Sequence, residues 1–154
     1  MTDLQGKSGE PQINVKKIHA NQEIQQAQQI RYNVFVLGQN VPPEEEIDKF
    51  ETESFHFLAY IDGTPCGAAR WRFTEKGIKL ERFAVLENYR DNGVGSALVD
   101  AVLKDIDSNP DSNGKQLYLN AQLAAMKLYS KFGFKKEGEL FQECDIDHFK
   151  MVKF

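Results

Sequence analysis

Cysteine and histidine are scarce in this chain. Its 154 residues hold two cysteines, Cys66 and Cys144, and three histidines, His19, His56 and His148. Neither set has the spacing of metal ligands, so no metal is expected, and two isolated cysteines read as reduced thiols. Basic runs are missing as well: 19 Lys and Arg against 23 Asp and Glu give a net charge of −4. Neutralising a phosphate backbone takes clustered cations, so no nucleic acid is expected as a partner. No apolar run approaches the roughly 18 residues of a membrane helix, and the polar N-terminus lacks an apolar signal region. The expectation is no membrane association and a cytoplasmic location. Two phosphate signatures are absent too. The third small residue of a dinucleotide fingerprint would fall at Leu98, and the Gly-Lys-Ser/Thr triplet of a P-loop does not occur.

With 41% hydrophobic and 27% charged residues, the chain has the composition of one soluble domain. Residues 1–11 are polar and carry Gly6, Gly9 and Pro11, the marks of a loose tail, leaving 12–154 as a single domain. Ile13–Ile18 is expected as an edge strand. Ile24, Ala27, Ile30, Val34 and Phe35 then recur at helical spacing after Asn21, a candidate cap, and Pro42-Pro43 ends that helix. Glu44–Asp48 is acidic and is expected to begin a short second helix. Phe55–Ile61, Gly67–Phe73 and Ile78–Leu86 form a meander punctuated by Asp62-Gly63 and Glu75-Lys76-Gly77. A helix over about 93–106 carries Val94, Leu98, Val102 and Ile106 on one stripe. A strand at Gln116–Ala121, a helix at Ala124–Phe132 stopped by Gly133, and strands at Phe134–Phe141 and His148–Phe154 complete the chain. A strand after a helix implies a parallel crossover. The order predicts an α+β fold: a mixed, mostly antiparallel sheet with helices on both faces, hence three layers, α/β/α.

The most informative segment is Tyr89–Leu98. Its core, Arg90-x-x-Gly93-x-Gly95, joins a strand to a helix. Glycine admits positive φ and close approach of a ligand to the backbone. The first amides of a helix have no intrahelical acceptor and carry the positive end of the dipole. Such a turn is a seat for a phosphate or pyrophosphate.

On these residues the chain resembles the GNAT superfamily of N-acetyltransferases over about residues 12–154. Arg90-x-x-Gly93-x-Gly95 is similar to the family's acetyl-CoA motif after the fourth strand. Tyr118-Leu-Asn-Ala-Gln122 and Lys127-Leu-Tyr-Ser-Lys-Phe-Gly-Phe134 resemble its fifth strand and next helix. Arg31-Tyr-Asn-Val-Phe35, Glu139–Glu143, Ile146 and His148 resemble a bacterial subgroup of small members. Two departures stand out: Asp91-Asn92 replaces the usual Gly-Lys or Gly-Arg, and Asp147 replaces a proline before His148. A negative charge at Asp91 is expected to weaken cofactor affinity.

The resemblance implies acetyl-CoA as co-substrate and direct transfer of its acetyl group to a primary amine, on a small molecule or a peptide. It implies a splay between the fourth and fifth strands that takes the pantetheine arm. The cofactor-binding residues would be Phe83, Ala84 and Val85 on the fourth strand; Arg90, Asp91, Asn92, Gly93, Val94, Gly95 and Ser96 at the turn; and Asn120 and Tyr129. Tyr129 is expected as general acid, since a phenol with a pKa of about 10 is protonated at neutral pH. Glu81 and His148 are candidate bases. For Glu81 an ion pair with Arg70, Arg72 or Arg82 is the competing reading, and alternation puts Glu81 and Arg82 on opposite faces. For His148 the alternative is a structural hydrogen bond.

The acidic run Glu44, Glu45, Glu46 and Asp48 suggests a rim for a cationic acceptor, or simply a helix start; Arg31, Arg70 and Arg72 suggest an anionic group on the acceptor. Phe55, His56, Phe57 and Trp71 are expected to pack the strands. A homodimer, a longer acyl donor and a non-catalytic acyl-CoA sensor are compatible with the same residues.

Overall fold

The computed structural model describes residues 11–154, so the expected tail lies, apart from Pro11, outside the described residues. One sheet carries the strands in the order β1-β2-β3-β4-β5-β7-β6. β1 (Ile13–Ile18), β2 (Phe55–Ile61), β3 (Thr64–Thr74) and β4 (Gly77–Val85) are antiparallel neighbours. β5 (Leu117–Gln122) runs parallel to β4, and β7 (Ile146–Lys153) joins β5 to the outer strand β6 (Lys135–Glu143). Asp62 and Gly63 both have left-handed φ, 48° and 84°, as the two-residue hairpin predicts.

Helices cover both faces, and the strand sequences show why. β2 reads as a nearly continuous apolar run because both of its faces are buried. Its Phe57, Ala59 and Ile61 join the core beneath α3 (Val94–Ser108), together with Trp71, Leu80 and Leu119. The stripe Val94, Leu98, Val102 and Ile106 supplies the helical side, each at most 3% exposed. Leu58 faces the opposite way and packs with Ala68 and Ala84 under Ala27, Ile30 and Val34. Of these, Ala27 and Ile30 lie on α1 (Asn21–Arg31). Trp71 is fully buried, stacks on Phe55 at 4.4 Å and donates its indole N–H to Asp105 of α3 at 3.0 Å.

Several elements differ from the sequence reading. The first helix is capped by Ala20 without a side-chain bond, and it widens into a π-helical segment over Tyr32–Leu37, where the apolar spacing alone suggests continued α-helix. The predicted helix at Ala124–Phe132 divides into a 3₁₀ turn, Leu123–Ala125, and the short α4 (Met126–Ser130). Apolar spacing does not separate these helix types. Strand β3 begins earlier, at Thr64, with Pro65 at its start, a position that tolerates a missing N–H.

The largest difference is a bulge in β4. Pairing with β3 steps from Ala68↔Ala84 to Arg70↔Glu81, so Ala69 opposes two residues, and Arg82 adopts φ 62°. The extra residue breaks alternation. Glu81 and Arg82, expected on opposite faces, both turn toward α1 and the segment after it, α2 (Pro43–Glu46) and its continuation to Glu51.

That segment is held by buried charge. Arg31, 1% exposed, binds Glu46 and Glu51 at 2.8 Å each. Arg70, fully buried, reaches Asp48 at 2.8 Å and Glu51 at 2.7 Å. Arg82 bonds the carbonyls of Glu45 and Glu46 at 3.2 Å each. Part of the acidic run is therefore not a free rim: Glu46 and Asp48 serve the chain's own arginines, whereas Glu44 and Glu45 stay exposed, and Arg31, Arg70 and Arg72 are occupied by carboxylates of the same chain.

Removing one partner of such a cluster strands the other charge. Arg31→Met should lower unfolding free energy by about 3–5 kcal/mol in urea denaturation. Burial pushes the Glu51 carboxyl up, but the hydrogen bonds and charge of Arg31 outweigh it and hold the group at about 2, below its ordinary 4.5. A depressed folded-state value means that this stabilisation is present above pH 4.5 and is lost as pH falls toward 2. Glu51→Gln should flatten the acid limb of the stability profile; an unchanged slope would remove Glu51 from the account.

Candidate functional site

β4 and β5 pair at only two positions, Ile78↔Leu117 and Lys79↔Tyr118. β4 continues to Val85 and β5 to Gln122, so beyond this short contact the strands diverge into a wedge. Along the β4 side stand Phe83, Ala84 and Val85. Phe83 and Val85 lean toward the α3 core, while Ala84 belongs to the core under α1. At the end of β4 a cavity of about 530 Å³ opens between the π-helical segment and the connection to α3, lined by Asn33, Gln39, Leu86 and Arg90 among others.

The glycine turn sits at this end of the wedge. Gly93 caps α3 with φ 89°, and Asp91 is also left-handed at 65°. A Cβ on Gly93 would meet only Ile13, at 3.7 Å, so the dihedral, not crowding, calls for glycine. Gly95 has a different reason: a Cβ there would stand 3.2 Å from Leu128 of α4. The first amide of this region to find an intrahelical acceptor is Ala97, on Gly93 at 3.0 Å. Those of Asp91, Asn92, Gly93, Val94, Gly95 and Ser96 have none among the described residues. Arg90 braces the turn by donating Nε–H to the Val85 carbonyl at 2.9 Å, and Asn92 donates to the carbonyls of Tyr89 and Arg90. Lys131, which the sequence reading passed over, brings its ammonium 3.4 Å from the Ser96 hydroxyl and sets a cation at a turn that also carries Asp91.

Tyr129 of α4 is 7% exposed and meets Phe83 edge-on at 5.7 Å. Burial pushes its phenol well above the ordinary range, with no hydrogen bond contributing to the shift. A buried hydroxyl without a partner is uncommon and is suited to a group brought in by a ligand. The unpaired amides and this phenol together form a donor set that fits a thioester of coenzyme A: anion-binding N–H groups at one end and a proton donor farther in.

The two candidate bases diverge. Glu81 is held in ion pairs. Its carboxylate bonds Arg70 Nε at 2.9 Å and Arg72 Nε at 2.7 Å. Burial works against its charged form, yet Arg70 and the neighbouring cations prevail and lower its pKa. A carboxylate so held is a weak proton acceptor, and the ion-pair reading describes it. His148 lies opposite Gln122 of β5 and is 6% exposed. Its Nδ1 lies 2.7 Å from the Ile146 carbonyl. A carbonyl only accepts, so Nδ1 is the donor of this bond, and the tautomer that carries its single proton there presents a lone pair at Nε2. Asn120 donates to Glu143 at 3.1 Å, a partner the sequence did not reveal. Gln39 and Gln122 exchange two amide hydrogen bonds, 3.2 and 2.9 Å, and tie the end of β5 to the segment after the π-helical turn.

Among the described residues no helix is long and apolar enough to cross a membrane. Residues 15–154 match the family model described as the acetyltransferase (GNAT) domain. An uncharacterised N-acetyltransferase of Bacillus subtilis, YjcF, is 39% identical over 133 residues, 86% of this chain and 93% of that protein. The crystal structure of Escherichia coli ElaA superposes with a TM-score of 0.80 at 26% identity, covering 93% of this chain and 100% of that one. A GNAT acetyltransferase from Elizabethkingia anophelis, solved with acetyl-CoA bound, has a TM-score of 0.68 at 18% identity over 92% of this chain and 97% of its own. The divided sheet, the glycine turn at its open end and these likenesses agree: the chain belongs to the GNAT acetyltransferase family and is an acyltransferase.

Proposed function

We propose that this protein transfers an acetyl group from acetyl-CoA to a primary amine by direct attack within a ternary complex. The observation that carries the reading is the alignment of three features along one wedge: the amides at residues 91–96 and the hydroxyl of Tyr129, all without hydrogen-bond partners among the described residues, and the open edge of β4 after its bulge. The thioester supplies an activated acyl group. The amides of the turn hold its diphosphate, with Lys131 near Ser96 adding positive charge. Backbone N–H groups over Phe83–Val85 pair with the pantetheine arm and polarise the thioester carbonyl. Tyr129 donates its proton to the departing thiolate, and the raised affinity of its phenol for that proton keeps it in the donor form at neutral pH. His148 accepts the amine's proton at Nε2. Residues 12–154 act as one catalytic domain.

Incubation with acetyl-CoA and a panel of amines, followed by detection of free thiol, tests the activity. Tight CoA binding with no thiol release on any amine would favour a non-catalytic sensor. Tyr129→Phe should lower kcat by about 10²-fold while leaving the Kd for CoA within twofold; an unaltered kcat would remove Tyr129 from the chemistry. Gly93→Val forces a β-branched residue into left-handed φ, at a cost of about 1–3 kcal/mol. It should weaken CoA binding at least tenfold by calorimetry, and unchanged affinity would place the diphosphate elsewhere.

A further inference from the structure

At the β5 side of the wedge, three polar side chains from three strands converge outside the ion-pair cluster. Asn120 of β5 donates its amide to Glu143 Oε2 at 3.1 Å. Glu143, at the end of β6, directs its other oxygen, Oε1, to within 3.8 Å of His148 Nε2 on β7. That separation is too long for a hydrogen bond. The His148 side chain is 8% exposed, stacks on Phe141 at 5.8 Å and has its Nδ1 proton committed to the Ile146 carbonyl. Its Nε2 is therefore a buried acceptor aimed at a carboxylate with a gap between them, and among the described residues nothing donates to it.

Glu143 differs from Glu81 in the way that matters here. No arginine bonds it, and it is 48% exposed, open to whatever approaches from solvent. The adjoining turn of the β6–β7 hairpin, Cys144 and Asp145, has left-handed φ at both residues, 50° and 64°. Burial, then the charges of Glu45 and Glu143, push the Cys144 thiol up, with Arg82 opposing them. Glu143 thus stands at the base of a tight hairpin turn, with its carboxylate facing the side of the turn that leads to His148.

We infer that Asn120, Glu143 and His148 form the acceptor's ammonium site, and that the acceptor is an amine that arrives protonated, an alkylamine and not an arylamine. The inference rests on the acyl-transfer reading above. Glu143, steadied by Asn120, accepts hydrogen bonds from the ammonium. The ammonium gives one proton to His148 Nε2 and becomes a neutral amine. Its lone pair forms the C–N bond to the thioester carbonyl carbon, the C–S bond breaks, and the thiolate takes the Tyr129 proton. The nitrogen gives its one further proton to solvent water and becomes the amide, His148 passes its proton to solvent, and solvent reprotonates the Tyr129 phenolate. Glu143 is then a binding residue, Asn120 a positioning residue that acts through it, and His148 the base.

The test compares benzylamine, cationic at neutral pH, with aniline, uncharged there, in thiol-release assays of the whole chain with acetyl-CoA. Wild type should favour benzylamine. Glu143→Gln keeps the shape and removes the charge. It should raise KM for benzylamine by about 10- to 100-fold, the range of a hydrogen bond to a charged group, with the KM for acetyl-CoA unchanged. Its loss on aniline should be at least tenfold smaller. Asn120→Ala should raise the benzylamine KM less than Glu143→Gln, and Asn120→Asp should not restore it, because a carboxylate cannot donate to Glu143. Equal losses of Glu143→Gln on the two amines, or no loss, would overturn the ammonium site. Thiol release by wild type with aniline alone would overturn it while leaving acyl transfer standing. No release with either amine would count against acyl transfer; calorimetric binding of benzylamine to the CoA complex, lost in Glu143→Gln, would then uphold the ammonium site, and its absence from wild type would overturn that too.

Discussion

The separation of β4 from β5 after two paired residues is the constraint on which the rest of the molecule depends. A parallel pair that continued would satisfy its own backbone groups and leave no space between the strands. Divergence leaves edges that need partners and a gap that admits a linear ligand. The bulge at Arg82 contributes to this. It spends one residue without advancing the ladder, bends β4, and turns Arg82 toward α2, where the guanidinium holds two main-chain carbonyls. A non-glycine residue in left-handed φ is strained unless its surroundings hold it, and here four carboxylates and four arginines do so.

The charge cluster explains why this protein can bury so many ions on the α1 side of its sheet. Each arginine meets at least one carboxylate in hydrogen-bonding geometry, and Arg70 meets three. Charges buried in this way contribute modestly to net stability, since desolvation offsets much of the attraction. What they add is geometric specificity. The segment from Pro43 to Glu51 has little apolar content with which to dock, and ion pairs fix its position over the bulge. The same pairing commits Glu46, Asp48 and Glu81 to the chain's own arginines, whereas the Glu143 carboxylate stands half-exposed.

Much of this was legible in the sequence. Apolar periodicity located the meander, the long helix and its buried stripe, because burial on two faces leaves a direct imprint on residue type. The glycine turn was legible because a strand-to-helix junction with glycines has few other uses. The expectation for Tyr129 came from the family resemblance and not from spacing. What stayed hidden has physical causes. No glycine marks the bulge, since an arginine occupies the left-handed position. The acidic run Glu44–Asp48 looks like a solvated helix start, because sequence does not say which arginines fold back onto it. The π-helical segment keeps the apolar spacing of an α-helix. Glu143 is one of many surface acids until β5, β6 and β7 bring Asn120 and His148 beside it.

Gly95 was first of interest as a place where a ligand could come close, yet its absent side chain is filled from within, by Leu128. Leu128 immediately precedes Tyr129 on the same short helix. One missing methyl thus couples the turn that opens α3 to the short helix that carries Tyr129. A methyl added at that point would require the Leu128 side chain to give by a few tenths of an ångström, so a change at the turn is felt on the helix that carries Tyr129.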